Sequence, residues 1–162
     1  MSTLTHATMI SLLVLGAACS QAPREPIRET GSGIDSLNAR LVQAYRASDP
    51  QIYATLFTDS AVFEWPAFNT VRGRAGLEAM ARSNWASLAD QELQLTVSAR
   101  RVAQDHATEF GAFQQSWSDP KGLRMTEFGR YVALLVREGD GRWLIDRFFG
   151  FADSTRSSST GT

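Results

Sequence analysis

The chain has one cysteine, Cys19, and two histidines, His6 and His106, in 162 residues. A single cysteine excludes a disulfide within the chain. With so few thiols and imidazoles, no His/Cys metal site is expected, and no Ser-His-Asp set has support from spacing. Net charge is −1, with neither the basic stripe that nucleic acid requires nor the acidic block of a solvating tail. Gly73, Gly76 and Gly111 do not make a phosphate-binding fingerprint. No cofactor is expected. What is present suffices for one globular domain with a real core, because 43% of the residues are hydrophobic. No internal repeat is visible.

The N-terminal segment carries an apolar run, Met9-Ile10-Ser11-Leu12-Leu13-Val14-Leu15, then Gly16-Ala17-Ala18 and Cys19. The run is too short to span a bilayer but suits the core of a signal peptide over residues 1–18. Leu15-Gly16-Ala17-Ala18-Cys19 resembles a bacterial lipobox, which implies lipid on Cys19 and an anchored protein of the cell envelope facing the periplasm or exterior. Gly16-x-Ala18 also satisfies small-x-small cleavage, which would give a soluble periplasmic or secreted protein instead. Residues 19–31 are rich in Pro, Gly, Ser and charge without periodicity, and read as a flexible tether. Residues 154–162 hold no apolar side chain and are expected to be a disordered tail. The folded domain is therefore expected over residues 32–153.

Within it, Ser32-x-x-Asp35 suggests a capping box, and Ile34, Leu37, Leu41 and Ala44/Tyr45 recur at helical spacing. Asp49-Pro50 restarts a second helix, with Asp49 as cap and Pro at the first helical position. A strand follows at 61–65, ended by Pro66. A third helix after Gly73 places Leu77, Met80/Ala81, Asn84/Trp85 and Leu88 on one face. Beyond Asp90 the period becomes two, with Leu93, Leu95 and Val97 alternating. Residues 108–117 form a long strand, 118–122 a Pro- and Gly-bearing turn, and 125–137 pairs with 142–151 across a Gly-rich hairpin. Helices first and antiparallel strands after define an α+β domain.

The run Asp59-Ser60-Ala61-Val62-Phe63-Glu64-Trp65-Pro66, then Val71-Arg72-Gly73-Arg74-Ala75-Gly76-Leu77, and the closing Asp140-Gly141-Arg142-Trp143-Leu144-Ile145, resemble the nuclear-transport-factor-2-like superfamily. Within it they resemble the SnoaL-like or DUF4440-type domains. The resemblance implies a cone-shaped fold, three N-terminal helices packed on a curved, mainly antiparallel sheet that encloses a pocket. Ketosteroid isomerases of that superfamily carry a general-base aspartate in a Glu-Asp-Pro motif. The matching stretch here is Glu64-Trp65-Pro66, so the base position is Trp65. Their catalytic tyrosine falls at about Leu41 and their oxyanion-binding aspartate at about Ala133. Enolisation needs a carboxylate base and a hydrogen-bond donor for the oxyanion. Trp, Leu and Ala supply neither, so steroid isomerisation is rejected.

Strand alternation offers a pocket lining of Phe63, Trp65, Phe110, Gln114, Tyr131 and Phe148, with Asp146 as the candidate acid or base. Asp146 lies in an otherwise apolar strand. It either faces the cavity as a free carboxylate or pairs with an arginine such as Arg124 or Arg130. The aromatic residues either line an open cavity or fill a core. Glu109, Glu127, Arg130 and Arg147 are expected on the outer, solvated face, together with Phe113, Val132 and Leu134. Three functions follow. The first is binding of a small, mainly apolar ligand. The second is cofactor-independent acid–base catalysis by Asp146 (isomerase, cyclase or hydro-lyase type) on a polyketide-like molecule. The third is a homodimeric interaction scaffold.

Overall fold

The computed structural model describes residues 31–67 and 69–158. Helix α1, Ser32–Arg46, turns Ile34, Leu37, Leu41, Ala44 and Tyr45 inward, as the apolar spacing requires. Its N-cap falls on Gly31, in the left-handed region at φ 79°. Asp35 therefore serves elsewhere: its carboxylate meets Arg100 at 2.8 Å and ties the helix to the sheet. Helix α2, Pro50–Thr55, opens as the sequence implies, with Asp49 Oδ1 accepting from the Ile52 amide at 2.9 Å. Helix α3 spans Gly73–Trp85 and buries Leu77 and Ala81.

Six strands form one sheet in the order β2-β1-β6-β5-β4-β3. They are β1 (Phe57–Glu64), β2 (Val71–Arg72), β3 (Ala89–Val102), β4 (His106–Ser118), β5 (Arg124–Arg137) and β6 (Trp143–Ser158). All neighbours are antiparallel except β1 and β6. The result is an α+β domain in which a curved sheet packs its concave face against the helices. The core lies between them, built around Ile34, Leu56, Phe57, Leu77, Leu135 and Ile145. Each such side chain contributes about 1.5–3 kcal/mol on leaving water.

Several boundaries differ from expectation: α3 ends at Trp85, short of Leu88, and β1 ends at Glu64, short of Trp65. Strand β1 begins at Phe57 rather than at residue 61, and the buried Phe57 is part of the core. Strand β6 runs to Ser158, so residues 154–158 are strand and not tail. Their polar side chains are all exposed, but their backbone pairs with β5 from Phe128 to Arg124. Backbone pairing needs no apolar side chain, and composition alone therefore misses it. Residues 1–30, with the apolar run and Cys19, and residues 159–162 lie outside the described residues. No described helix is long and apolar enough to cross a membrane.

A candidate ligand pocket

A cavity of about 380 Å³ opens between the concave face and the helices. Leu41 and Tyr45 of α1, Tyr53 of α2, and Met80, Asn84 and Trp85 of α3 form one wall. Leu93 and Leu95 of β3, Phe113, Gln115 and Trp117 of β4, Glu127 of β5, and Phe63 and Phe148 of β1 and β6 form the other. Trp65, Ala67 and Leu88 complete the lining from loops. Eight of these seventeen residues are aromatic, and only Asn84, Gln115 and Glu127 among them are polar without a ring. The volume and this balance fall in the range of small-molecule sites.

The rings are ordered by the sheet. Trp65, Phe63, Phe148 and Tyr131 stack nearly parallel, at centroid spacings of 6.1, 5.3 and 5.6 Å. Phe63 and Phe148 are register partners on β1 and β6, and Phe148 pairs in turn with Ala133 on β5. Trp65 also leans on Phe113 at 5.3 Å. Across the cavity, Trp85 meets Tyr45 and Tyr53 edge to face at 5.4 and 5.1 Å. Such offset and edge contacts fix ring orientation as well as adding stability. Small residues make room: a side-chain carbon at Gly111 would strike the Tyr131 ring, and one at Gly150 would strike Trp65.

Among the described residues Glu127 is the only carboxylate on the lining. Its Oε1 accepts from Gln115 Nε2 at 2.7 Å across the β4–β5 pair. Thr155 Oγ1 approaches its other oxygen at 3.4 Å. Burial holds the Tyr45 hydroxyl above its ordinary pKa, and the Glu127 charge adds to that shift while Arg124 opposes it. The charge of Glu127 is thus felt inside the cavity.

One layer below, Tyr131 donates to Glu109 Oε1 at 2.8 Å, and Asn38 Nδ2 donates to the same oxygen at 2.9 Å. Arg100 Nε donates to Glu109 Oε2 at 2.7 Å. The Glu109 side chain is 1% exposed. Burial works against the Arg100 charge, but its hydrogen bonds to Asp35 and Glu109 outweigh this and raise its pKa. Burial, then the bond to Glu109, likewise raises the Tyr131 hydroxyl.

Set against the sequence reading, Phe63, Trp65 and Phe148 are brought together on the lining. Tyr131 faces the same side but is buried behind Phe148. Phe110 and Gln114 are not on the lining. They occupy the opposite face, where Phe110 is 41% exposed. The β4 positions that face the interior are Glu109, Gly111, Phe113, Gln115 and Trp117, since Gly111 and Phe113 pair directly with Tyr131 and Gly129. Phe110 and Phe113 have opposite parity, so apolarity alone left the face undecided. Glu109 faces inward rather than to solvent, because Asn38, Arg100 and Tyr131 all donate to it there.

Asp146 also lies off the lining. Between Leu134 and Leu135 of β5, the register with β6 shifts from Arg147 to Ile145, leaving Asp146 as an extra residue. That bulge turns it toward β1. Its Oδ1 accepts from Thr58 Oγ1 at 3.0 Å, and its Oδ2 lies 3.3 Å from Arg147 Nε. It is ion-paired, though with Arg147 rather than Arg124 or Arg130. Arg130 is on the outer face, paired with Asp153 at 2.8 Å. Glu127, Glu109 and Phe113 are inside rather than outside. His106 is exposed and bonded to Asp105 at 2.7 Å. Among the described residues no cluster of His, Cys, Asp and Glu could hold a metal. The wall residues from the helices were legible as one α3 face, but their meeting with Tyr45 and Tyr53 depends on tertiary packing.

Helices packed on one curved sheet around an aromatic cavity define a domain of the nuclear-transport-factor-2-like kind. The chain belongs to the SnoaL-like domain family, whose model matches residues 29–148. No curated protein matches it. Solved structures share the fold. A ketosteroid isomerase-like protein from Erwinia carotovora atroseptica is 18% identical, with 78% of this chain and 98% of that one covered and a TM-score of 0.67. A type 2 hexachlorocyclohexane dehydrochlorinase is 15% identical over 80% and 89% of the two chains, with a TM-score of 0.69. A protein of unknown function from Mycobacterium tuberculosis is 24% identical over 75% of each chain, with a TM-score of 0.67.

Proposed function

We propose that the domain binds a small, mainly apolar molecule in this pocket. The observation that carries the reading is the cavity of about 380 Å³ walled by eight aromatic side chains. A core that merely filled its concave face would leave no such space, because protein interiors pack as densely as organic crystals. Acid–base catalysis by Asp146 lacks its premise, since Asp146 is held by Thr58 and Arg147 away from the lining. Trp65 and Leu41 on the lining, and Ala133 buried below it, offer no base and no oxyanion donor. The apolar run at 9–15 and the small residues before Cys19 support a place in the cell envelope, anchored by lipid on that cysteine.

The test is calorimetric titration of naphthalene into the native chain and into a Met80→Trp variant. Met80 lies on the α3 wall, partly buried, so a larger ring there fills the space. Saturable 1:1 binding to the native chain, weakened about tenfold or more in the variant, is expected. Equal affinity for both would place the probe elsewhere.

A second reading, a homodimer, has its own support. Phe110, Leu134 and Phe151 are exposed on the outer face of β4, β5 and β6. Contiguous apolar surface of this kind marks interaction sites. Sedimentation velocity of the native chain and of Phe110→Ser/Phe151→Ser tests it: a dimer that the substitutions dissociate is expected, and a native monomer rejects the reading.

A further inference from the structure

We propose that the pocket prefers apolar ligands carrying a cationic amine, with the ammonium group against Glu127 and the hydrocarbon among the rings. This rests on the binding reading above and adds the chemical class of the ligand. Three features of the lining converge on it. Among the described residues Glu127 is the single carboxylic acid there, and no Lys, Arg or His accompanies it. Its carboxylate meets no basic side chain within ion-pair distance among the described residues. Its hydrogen bonds come from neutral Gln115, at 2.7 Å, and from Thr155, at the long distance of 3.4 Å. The nearby Arg124 is committed elsewhere, to the Asp90 carbonyl and the Ser116 hydroxyl.

A half-buried carboxylate with only neutral donors retains a field that a bound cation would complete. The remaining wall is suited to the same ligand. Phe113 and Trp117 flank Gln115 on β4, and Gln115 is the register partner of Glu127. Tyr45 is on the same lining, its hydroxyl pKa raised first by burial and then by the Glu127 charge. The faces of Trp, Tyr and Phe rings carry negative potential and attract ammonium groups. An anionic ligand would meet the opposite: the Glu127 carboxylate and ring faces of the same sign, with no cationic side chain on the lining among the described residues.

The test uses three probes of one shape at neutral pH: naphthylmethylamine, naphthalenemethanol and naphthoate, titrated calorimetrically into the native chain and into Glu127→Gln. The variant keeps the side-chain volume and a partner for Gln115. The amine is expected to bind the native chain about tenfold more tightly than the alcohol, the size of one charge-assisted hydrogen bond in a partly solvated site. The carboxylate is expected to bind more weakly than the alcohol. In Glu127→Gln the ratio of amine to alcohol affinity should fall below about twofold, with the alcohol titration itself reporting that the variant retains a pocket. Equal binding of amine and alcohol to the native chain would overturn the amine preference and leave the pocket standing. An amine preference that survives Glu127→Gln would overturn the role of Glu127. Failure of all three probes to bind would overturn the pocket reading and this inference together.

Discussion

Tyr131 and Glu109 share a hydrogen bond of 2.8 Å directly beneath the stacked Phe148 ring. The bond makes a charged side chain part of the support for an aromatic wall. Glu109 gathers Asn38 from α1, Arg100 from β3 and Tyr131 from β5 onto one buried carboxylate. Arg100 reaches on to Asp35 and to the Gly31 carbonyl at 3.3 Å. The helix that carries Leu41 and Tyr45 is thereby fixed against the strands that carry the opposite wall.

Glu109→Ala should therefore destabilise the fold by about 3–5 kcal/mol, because it leaves Arg100 with a charge facing a vacated buried site. Urea denaturation measures this. A loss below about 1 kcal/mol would mean that the network is ornamental to stability.

Alkaline pH should weaken the protein through its tyrosines. The chain has three, Tyr45, Tyr53 and Tyr131, and burial raises all three hydroxyls above the ordinary value. In the unfolded chain they lose protons at about pH 10. Above that pH the unfolded state holds fewer protons than the folded one, so unfolding free energy falls as pH rises. Below it their contribution is complete. Denaturation midpoints should be insensitive to these groups up to about pH 9 and decline beyond about pH 10. Tyrosinate absorbance should appear together with loss of the far-ultraviolet signal; tyrosinate in a still-folded protein would contradict the burial.

Two glycines on the concave face should respond differently to alanine. At Gly129 an added carbon meets the Phe151 backbone carbonyl and the Phe113 ring, and the backbone cannot move aside. Gly129→Ala should cost about 1–3 kcal/mol. At Gly150 the obstacle is the Trp65 side chain, half-buried and beyond the end of β1. Gly150→Ala should cost less than Gly129→Ala but shift Trp65 emission and weaken probe binding. The reverse order of stability losses would show that Trp65 is held more rigidly than the β6 backbone.

Much of this architecture was readable in the chain because its signals are local. Asp49-Pro50 caps and starts α2, and Ile34, Leu37 and Leu41 mark the buried stripe of α1. Phe63 and Trp65 gave the parity of β1 because nothing between them breaks the alternation. On β4 the signal failed. Phe110 and Phe113 point to opposite faces, Gly111 carries no hydropathy, and Glu109 is buried through partners on α1, β3 and β5 that no local pattern reveals. On β6 a bulge at Asp146 shifts the register, and a bulge leaves no periodic trace. The polar end of the pocket, Gln115 and Glu127, was missed for the same reason as Glu109: both face inward as a cross-strand pair.

Asp146→Asn should leave probe affinity within about twofold of native, since Asp146 is off the lining and bonded to Thr58 and Arg147. Its partly buried ion pair keeps a hydrogen-bond partner in Thr58 when neutralised, and the substitution should cost about 1–2 kcal/mol. A large loss of affinity with stability intact would return Asp146 to the site.

The most direct measurement of the central claim is a crystal structure of the native chain with naphthalenemethanol. The account predicts the naphthalene ring between Trp65, Phe113, Trp117 and Phe148, with its hydroxyl toward Gln115 and Glu127. A probe seated only on the outer face near Phe110 and Phe151, or aromatic side chains closed over the cavity with no space between them, would contradict it.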